Sequence, residues 1–204
     1  MERKRIYSGN HENMNTKELE EKLEGQAESQ NIEFKCAIPW HVKSFARALL
    51  ALANVRDGGF IIVGIKDGTL ERQGVANAIK ATYKIDEMKD QMNSFADPHV
   101  DFSVYFPKDK SGLDFVIMRV FQFEEIPVIC IKSHEEAGTQ AGRLYYRNKN
   151  KRVESAPVSN SYDMRSIVDM ATVKMMQRKG EIGYTVKTLG KSVQKQLDEE
   201  LEGL

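Results

Sequence analysis

Apolar and polar residues alternate through Asn31-Ile-Glu-Phe-Lys-Cys36, predicting a strand with Ile32 and Phe34 on one face and Glu33 and Lys35 on the other. Upstream, TKELEEKLEG predicts a short helix with Thr16 as its N-cap and Gly25 as its stop. After Pro39, the stretch Trp40 to Val55 spaces Val42, Phe45, Ala46, Leu49, Leu50, Leu52 and Ala53 as a buried helix does. Asp57-Gly58-Gly59 ends it. The unbroken apolar run FIIVGI that follows is the pattern of a central strand covered on both faces, and Lys66-Asp67-Gly68 is the turn leaving it.

A short strand is expected near Gln73 to Val75, then an amphipathic helix in YKIDEMKDQMNSFA closed by Pro98. VDFSVYF, LDFVIMRVFQF and PVICIKS read as the antiparallel part of the sheet, the first two joined as a hairpin by the Lys108–Gly112 turn. EEAGTQAG is a polar loop, and RLYYRN a last strand leading into a basic run. From Ser159 the pattern is helical. Met164, Ile167, Val168, Ala171 and Met175 form one apolar stripe and Val186, Leu189, Val193, Leu197 and Leu201 another, with Gly180 and Gly183 as a hinge between them. These helices either fold back on the domain or pair with a second copy or a partner. The fold class is mixed α/β, a central mixed sheet flanked by helices. It divides into a polar, disordered N-terminus over 1–15, a main domain over 16–158 and a helical extension over 159–204.

Composition narrows the field. Thirty basic and 30 acidic residues cancel, so contact with a polyanion requires a local patch. Cys36 and Cys130 lack metal-binding or disulfide-framework spacing, and His11, His41, His99 and His134 stand apart from any triad arrangement. No apolar run nears the roughly 20 residues that span a bilayer, and no signal peptide is evident; a soluble cytoplasmic protein without a membrane partner is expected. Gly58, Gly59 and Gly64 fit neither the P-loop nor the dinucleotide pattern, so they give ATP binding no support.

The candidate chemistry lies in Glu28, Glu33 and Asp67, with Lys35. Three acids and a lysine gathered by adjacent strands are the ingredients of a divalent-metal site acting on phosphodiesters. Carboxylates held about 4 Å apart repel by roughly 4 kcal/mol per pair at an effective dielectric near 20, so their convergence implies a cation between them. That cation would be Mg²⁺ or Mn²⁺, with Lys35 stabilising charge on the phosphate. The plain alternative is a set of solvated strand-end charges, with Lys35 in a surface pair to Glu33 or Glu28. Asp57 and Glu71 lie near the same turns, Asp57 shaping the Gly-Gly turn. Downstream, Arg143, Arg147, Lys149, Lys151 and Arg152, with Tyr145 and Tyr146 among them, combine phosphate-binding charge with stacking surface. A solvated loop after an edge strand is the alternative there. Alternation puts Tyr145 and Arg147 on one face and turns Tyr146 inward.

E-x-x-x-x-E-F-K, a helix ending A-x-A-N before a Gly-Gly turn, and I-I-V-G-I-x-D-G together resemble the Schlafen-type domain, also called the AlbA-like domain of the second kind. YYRNKNKRVESA is similar to that family's closing strand, and the likeness runs from about Glu20 to Ala156. The resemblance implies nucleic-acid binding. In nuclease members three carboxylates cut structured RNA such as transfer RNA with a divalent metal, and here they fall on Glu28, Glu33 and Asp67. The implied function is therefore a metal-dependent endoribonuclease in stress or antiviral (phage) defence. Lys35 would assist it, Arg143, Tyr145, Arg147, Lys149, Lys151 and Arg152 would hold the backbone, and DNA is the alternative partner. Nuclease relatives with two copies form a horseshoe around RNA, and with one copy here a groove of that kind would require a homodimer. The competing function is a non-catalytic module that binds DNA, RNA or a nucleotide such as ATP and regulates a partner through its C-terminal helices. A third is an oligomeric scaffold whose basic loop meets acidic protein.

Overall fold

The computed structural model describes residues 14–23, 28–66, 69–148 and 153–181. Helix α1 (Thr16–Leu23) begins with a reciprocal cap: the Glu18 N–H donates to Asn15 Oδ1 at 3.0 Å and the Asn15 N–H to Glu18 Oε2 at 3.2 Å. The cap is thus Asn15, one residue before the Thr16 expected, because Asn with Glu three residues on satisfies a pair of orphan donors together. Strand β1 (Ile32–Lys35) and helix α2 (Val42–Ala53) follow, and Trp40 stacks on Phe45 with ring centroids 5.0 Å apart, stapling the start of α2. Strand β2 (Gly59–Val63) is reached through a left-handed turn, Asp57 at φ 63° and Gly58 at φ 65°. A Cβ on Gly58 would lie 2.1 Å from the Val120 carbonyl oxygen, so glycine is required by both conformation and space.

Downstream come α3 (Asn77–Lys80), α4 (Ile85–Asn93), β3 (Ala96–Asp97), β4 (Phe102–Tyr105), β5 (Val116–Val120), β6 (Ile129–Cys130), β7 (Tyr145–Asn148), β8 (Glu154–Pro157) and α5 (Ser161–Glu181). The main sheet has the order β1-β2-β5-β4, β1 parallel to β2 and the other pairs antiparallel, which is the mixed α/β architecture expected. β2 is interior, and β4 and β5 form the predicted hairpin.

RLYYRN forms a strand as expected, β7, which pairs with β8 as a two-stranded ribbon outside the main sheet. Two expectations are corrected. The run PVICIKS leaves the main sheet: β6 pairs with β3. No strand forms at 73–75. There the Gln73 and Gly74 N–H groups both donate to the Gly64 carbonyl and Gly74 takes φ 66°, which breaks the regular ladder. Helix α5 runs unbroken through Gly180; Gly183 and the Val186 to Leu201 stripe lie outside the described residues. None of the helices among the described residues is long and apolar enough to cross a membrane.

Strand alternation sends side chains to two apolar clusters. Ile32, Phe34, Ile62 and Ile117 meet Leu19 of α1 on one face of the sheet, while Ile61, Val63, Met118 and Val120 meet Phe45, Leu49 and Leu52 of α2 on the other. Glu33 and Lys35, out of phase with Ile32 and Phe34, therefore belong to the α2 face.

Candidate nucleic-acid interface

Glu33 lies on a strand whose neighbours are apolar, yet its carboxylate is nearly enclosed. Lys35 Nζ stands 2.7 Å from Glu33 Oε1, its side chain on the same face two residues along, as the alternation predicts. Glu33 Oε2 accepts from Arg147, a fully buried guanidinium. Arg147 also donates to the carbonyls of Ser29 and Ile32 at 3.0 Å each and to Ser155 Oγ at 3.3 Å. One arginine thus ties the β7–β8 ribbon to the start of β1. Glu28 caps the same strand from outside, its Oε1 accepting the Phe34 N–H at 3.1 Å.

Above this network opens a cleft of about 770 Å³. Glu28, Glu33 and Lys35 meet Lys43 and Arg47 of α2 there, facing Glu135 and Glu136 of the polar loop and Glu154 and Ser155 of β8. Lys43 reaches Glu136 at 2.7 Å, an exposed pair, and Gly138 leaves room for Arg47, which a Cβ would crowd at 3.1 Å. The loop wall is propped from beneath: the Gln140 N–H donates to the Tyr145 hydroxyl at 2.9 Å, and that hydroxyl donates to the Gly138 carbonyl at 3.1 Å.

Two residues expected at a nucleic-acid surface are therefore interior. Arg147 cannot reach a phosphate and Tyr145 cannot stack a base, because both are fully buried, the two terminal guanidinium nitrogens and the tyrosine hydroxyl being bonded within the protein. Tyr146 does turn inward, its hydroxyl accepting from Gln30 at 3.0 Å. Arg143 is exposed; Lys149, Lys151 and Arg152 lie outside the described residues. Reading the sequence missed Lys43, Arg47 and Ser155. The first two had a signal, a pair of cations four apart on an otherwise apolar helix, which places them on one face; Ser155 had none.

Asp67, the third expected acid, lies outside the described residues. Among the described residues no group of three His, Cys, Asp or Glu comes together, and Glu33 pairs its two oxygens with cations.

Burial acts to raise the Glu33 carboxyl, but Lys35 and Arg147 outweigh it and hold it below its ordinary value. The same direction holds for Glu20, through Arg72 and then the Lys110 N–H, and for Asp109, where hydrogen bonds from Ser111, Leu113 and Arg72 overcome burial. Depressed carboxyls stabilise the fold above their unfolded values, and that stability is lost as pH falls through the lower folded values. Urea midpoints should hold near neutrality and drop once pH falls below the ordinary carboxylate range; a midpoint flat down to about pH 3 contradicts this network.

No curated protein matches the chain. Among solved structures, the DIP2311 protein from Corynebacterium diphtheriae aligns at 19% identity and a TM-score of 0.47, over 72% of this chain and 27% of that one. The N-terminal domain of a RecG-related protein from Nitrosomonas europaea aligns at 18% identity and a TM-score of 0.44, over 72% of this chain and 95% of that domain. Residues 28–156, more than half of the 204, match the family described as Schlafen, AlbA_2, and the chain belongs to that family.

Proposed function

We propose that this chain is a nucleic-acid-binding domain whose cleft takes a sugar–phosphate backbone against Lys35, Lys43 and Arg47. Family membership points to a nucleic-acid-related function. The observation that supports this reading above others is the double engagement of Glu33. Two cations share the Glu33 carboxylate, which fixes the Lys35 ammonium in place in a cleft lined besides by Lys43 and Arg47 and by Glu28, Glu135, Glu136 and Glu154. The exposed Glu136 partner of Lys43 is readily exchanged for a phosphate. Lys149, Lys151 and Arg152, between β7 and β8 in sequence, would extend the contact, with Arg143 contributing from before β7. Fluorescence anisotropy with a labelled oligonucleotide in EDTA tests this. Lys35→Gln should weaken binding and reduce the slope of log affinity against log salt by about 0.7–0.9. Unchanged affinity and slope would remove the cleft from the interface.

A second reading is favoured by one observation, that Glu28 and Glu33 line the same cleft. In it the chain is an endoribonuclease dependent on Mg²⁺ or Mn²⁺ that cuts transfer RNA or another folded RNA, with Glu28, Glu33 and Asp67 as ligands and Lys35 assisting. It requires Asp67 to join the two glutamates and Glu33 to exchange a cationic partner for the metal. It predicts Mn²⁺-dependent cleavage of total RNA that disappears in Asp67→Asn; an equal rate in that variant rejects it.

A further inference from the structure

On the sheet face opposite the cleft, the register of β2 and β5 sets Phe60 beside Arg119. Lys22 of α1 brings its Nζ to 3.8 Å from the Phe60 ring centroid, and the Arg119 guanidinium carbon lies 4.5 Å from that centroid and 5.6 Å from that of Phe121. Phe121 is 37% exposed, a large apolar ring in water just beyond the end of β5. Arg56 is exposed nearby and, with Gln30, Asn31, Asp57, Phe60 and Arg119, lines an open depression of about 360 Å³.

The charges here are unevenly matched. Arg119 donates to the carbonyl oxygens of Asp57 and Gly59, at 2.7 and 3.4 Å, so its guanidinium is oriented without being neutralised. Among the described residues, neither Lys22, Arg56 nor Arg119 forms a salt bridge. Burial and then the neighbouring Arg119 act against the Lys22 charge, which Glu18 and Glu21 partly support, and burial acts against the Arg119 charge, which Asp57 and Tyr105 partly support. Crowded cations beside exposed aromatic surface are relieved by an anion that also carries flat apolar rings.

We propose that this second face binds single-stranded nucleic acid, with Lys22, Arg56 and Arg119 taking phosphates and Phe121 stacking a base beside the Arg119 guanidinium. A base can lie on an aromatic ring only when it is free of its own duplex stack, which selects a single strand over a helix. The inference rests on the proposed function for its class of ligand and on separate residues for its surface, because α1 covers one face of the sheet and the cleft opens on the other.

The test is anisotropy of labelled oligo-uridine and oligo-deoxyuridine with the full chain in EDTA. Arg119→Gln should weaken binding about fivefold to tenfold and lower the salt slope by about 0.7, the value for one single-strand phosphate. Phe121→Ala, confirmed as folded by its thermal unfolding transition, should weaken binding about fivefold or more while leaving the slope intact. A loss confined to one oligonucleotide identifies the sugar that this face accepts. Wild-type binding that both variants match with both oligonucleotides overturns this surface and leaves the cleft standing. Failure of the unaltered chain to bind either oligonucleotide overturns both.

Discussion

Replacing Arg147 by methionine is expected to cost the fold about 3–5 kcal/mol, the largest effect of any single change near the cleft. Methionine keeps most of the side chain's apolar volume, so little of the loss comes from packing. The loss comes from Glu33, left with a nearly enclosed carboxylate, and from the Ser29 and Ile32 carbonyls, which lose their donor. The Arg147 Nε is already buried without a partner, so the guanidinium's desolvation is only partly recovered in the native state. The pair is thus costly to break without being strongly stabilising as a whole. Pairing Arg147→Met with Glu33→Leu should restore much of the stability, a coupling that a double-mutant cycle of urea midpoints measures directly. A single variant within about 1 kcal/mol of the parent would show that the buried pair does not hold the ribbon to β1.

Asn54→Ala should follow at about 3 kcal/mol. Asn54 is fully buried at the end of α2, donating to the Val128 and Tyr145 carbonyls at 2.8 and 3.0 Å and accepting the Val128 N–H at 2.8 Å. Alanine strands three buried backbone groups. Each costs about 1–3 kcal/mol, and relaxation keeps the total below their sum. Tyr145 opens the strand that carries Arg147, so amides of β7 should lose hydrogen-exchange protection before those of β2 and β5. Protection lost evenly across the sheet would contradict this local role.

The elements carrying strong period were legible in the chain. NIEFKC declared the faces of β1, FIIVGI the interior strand, and the apolar spacing of α2 its buried face, because these patterns are set by burial alone. The family was legible from the same segments. Partners that depend on distant pairing were not. YYRN reads equally well as an edge strand of the main sheet or as half of a separate ribbon, and only the ribbon buries Arg147. A basic residue in a basic segment looks like a phosphate contact until its carboxylate partner, 114 residues away, is known. Tyr145 was misplaced for the same reason, since its hydroxyl serves a loop whose course no local pattern shows. Lys43 and Arg47 were legible and overlooked, their cations hidden within a helix read for its apolar side.

The Glu33 carboxylate is held between Lys35 and Arg147 and presents the cleft with an ammonium. Electron paramagnetic resonance of a Mn²⁺ titration into the unaltered chain tests it most directly. The signal of free Mn²⁺ should rise in proportion to the metal added, while oligonucleotide binding persists in EDTA. Stoichiometric loss of that signal, reversed by Glu28→Gln or Asp67→Asn, would contradict the account and establish a metal centre in the cleft.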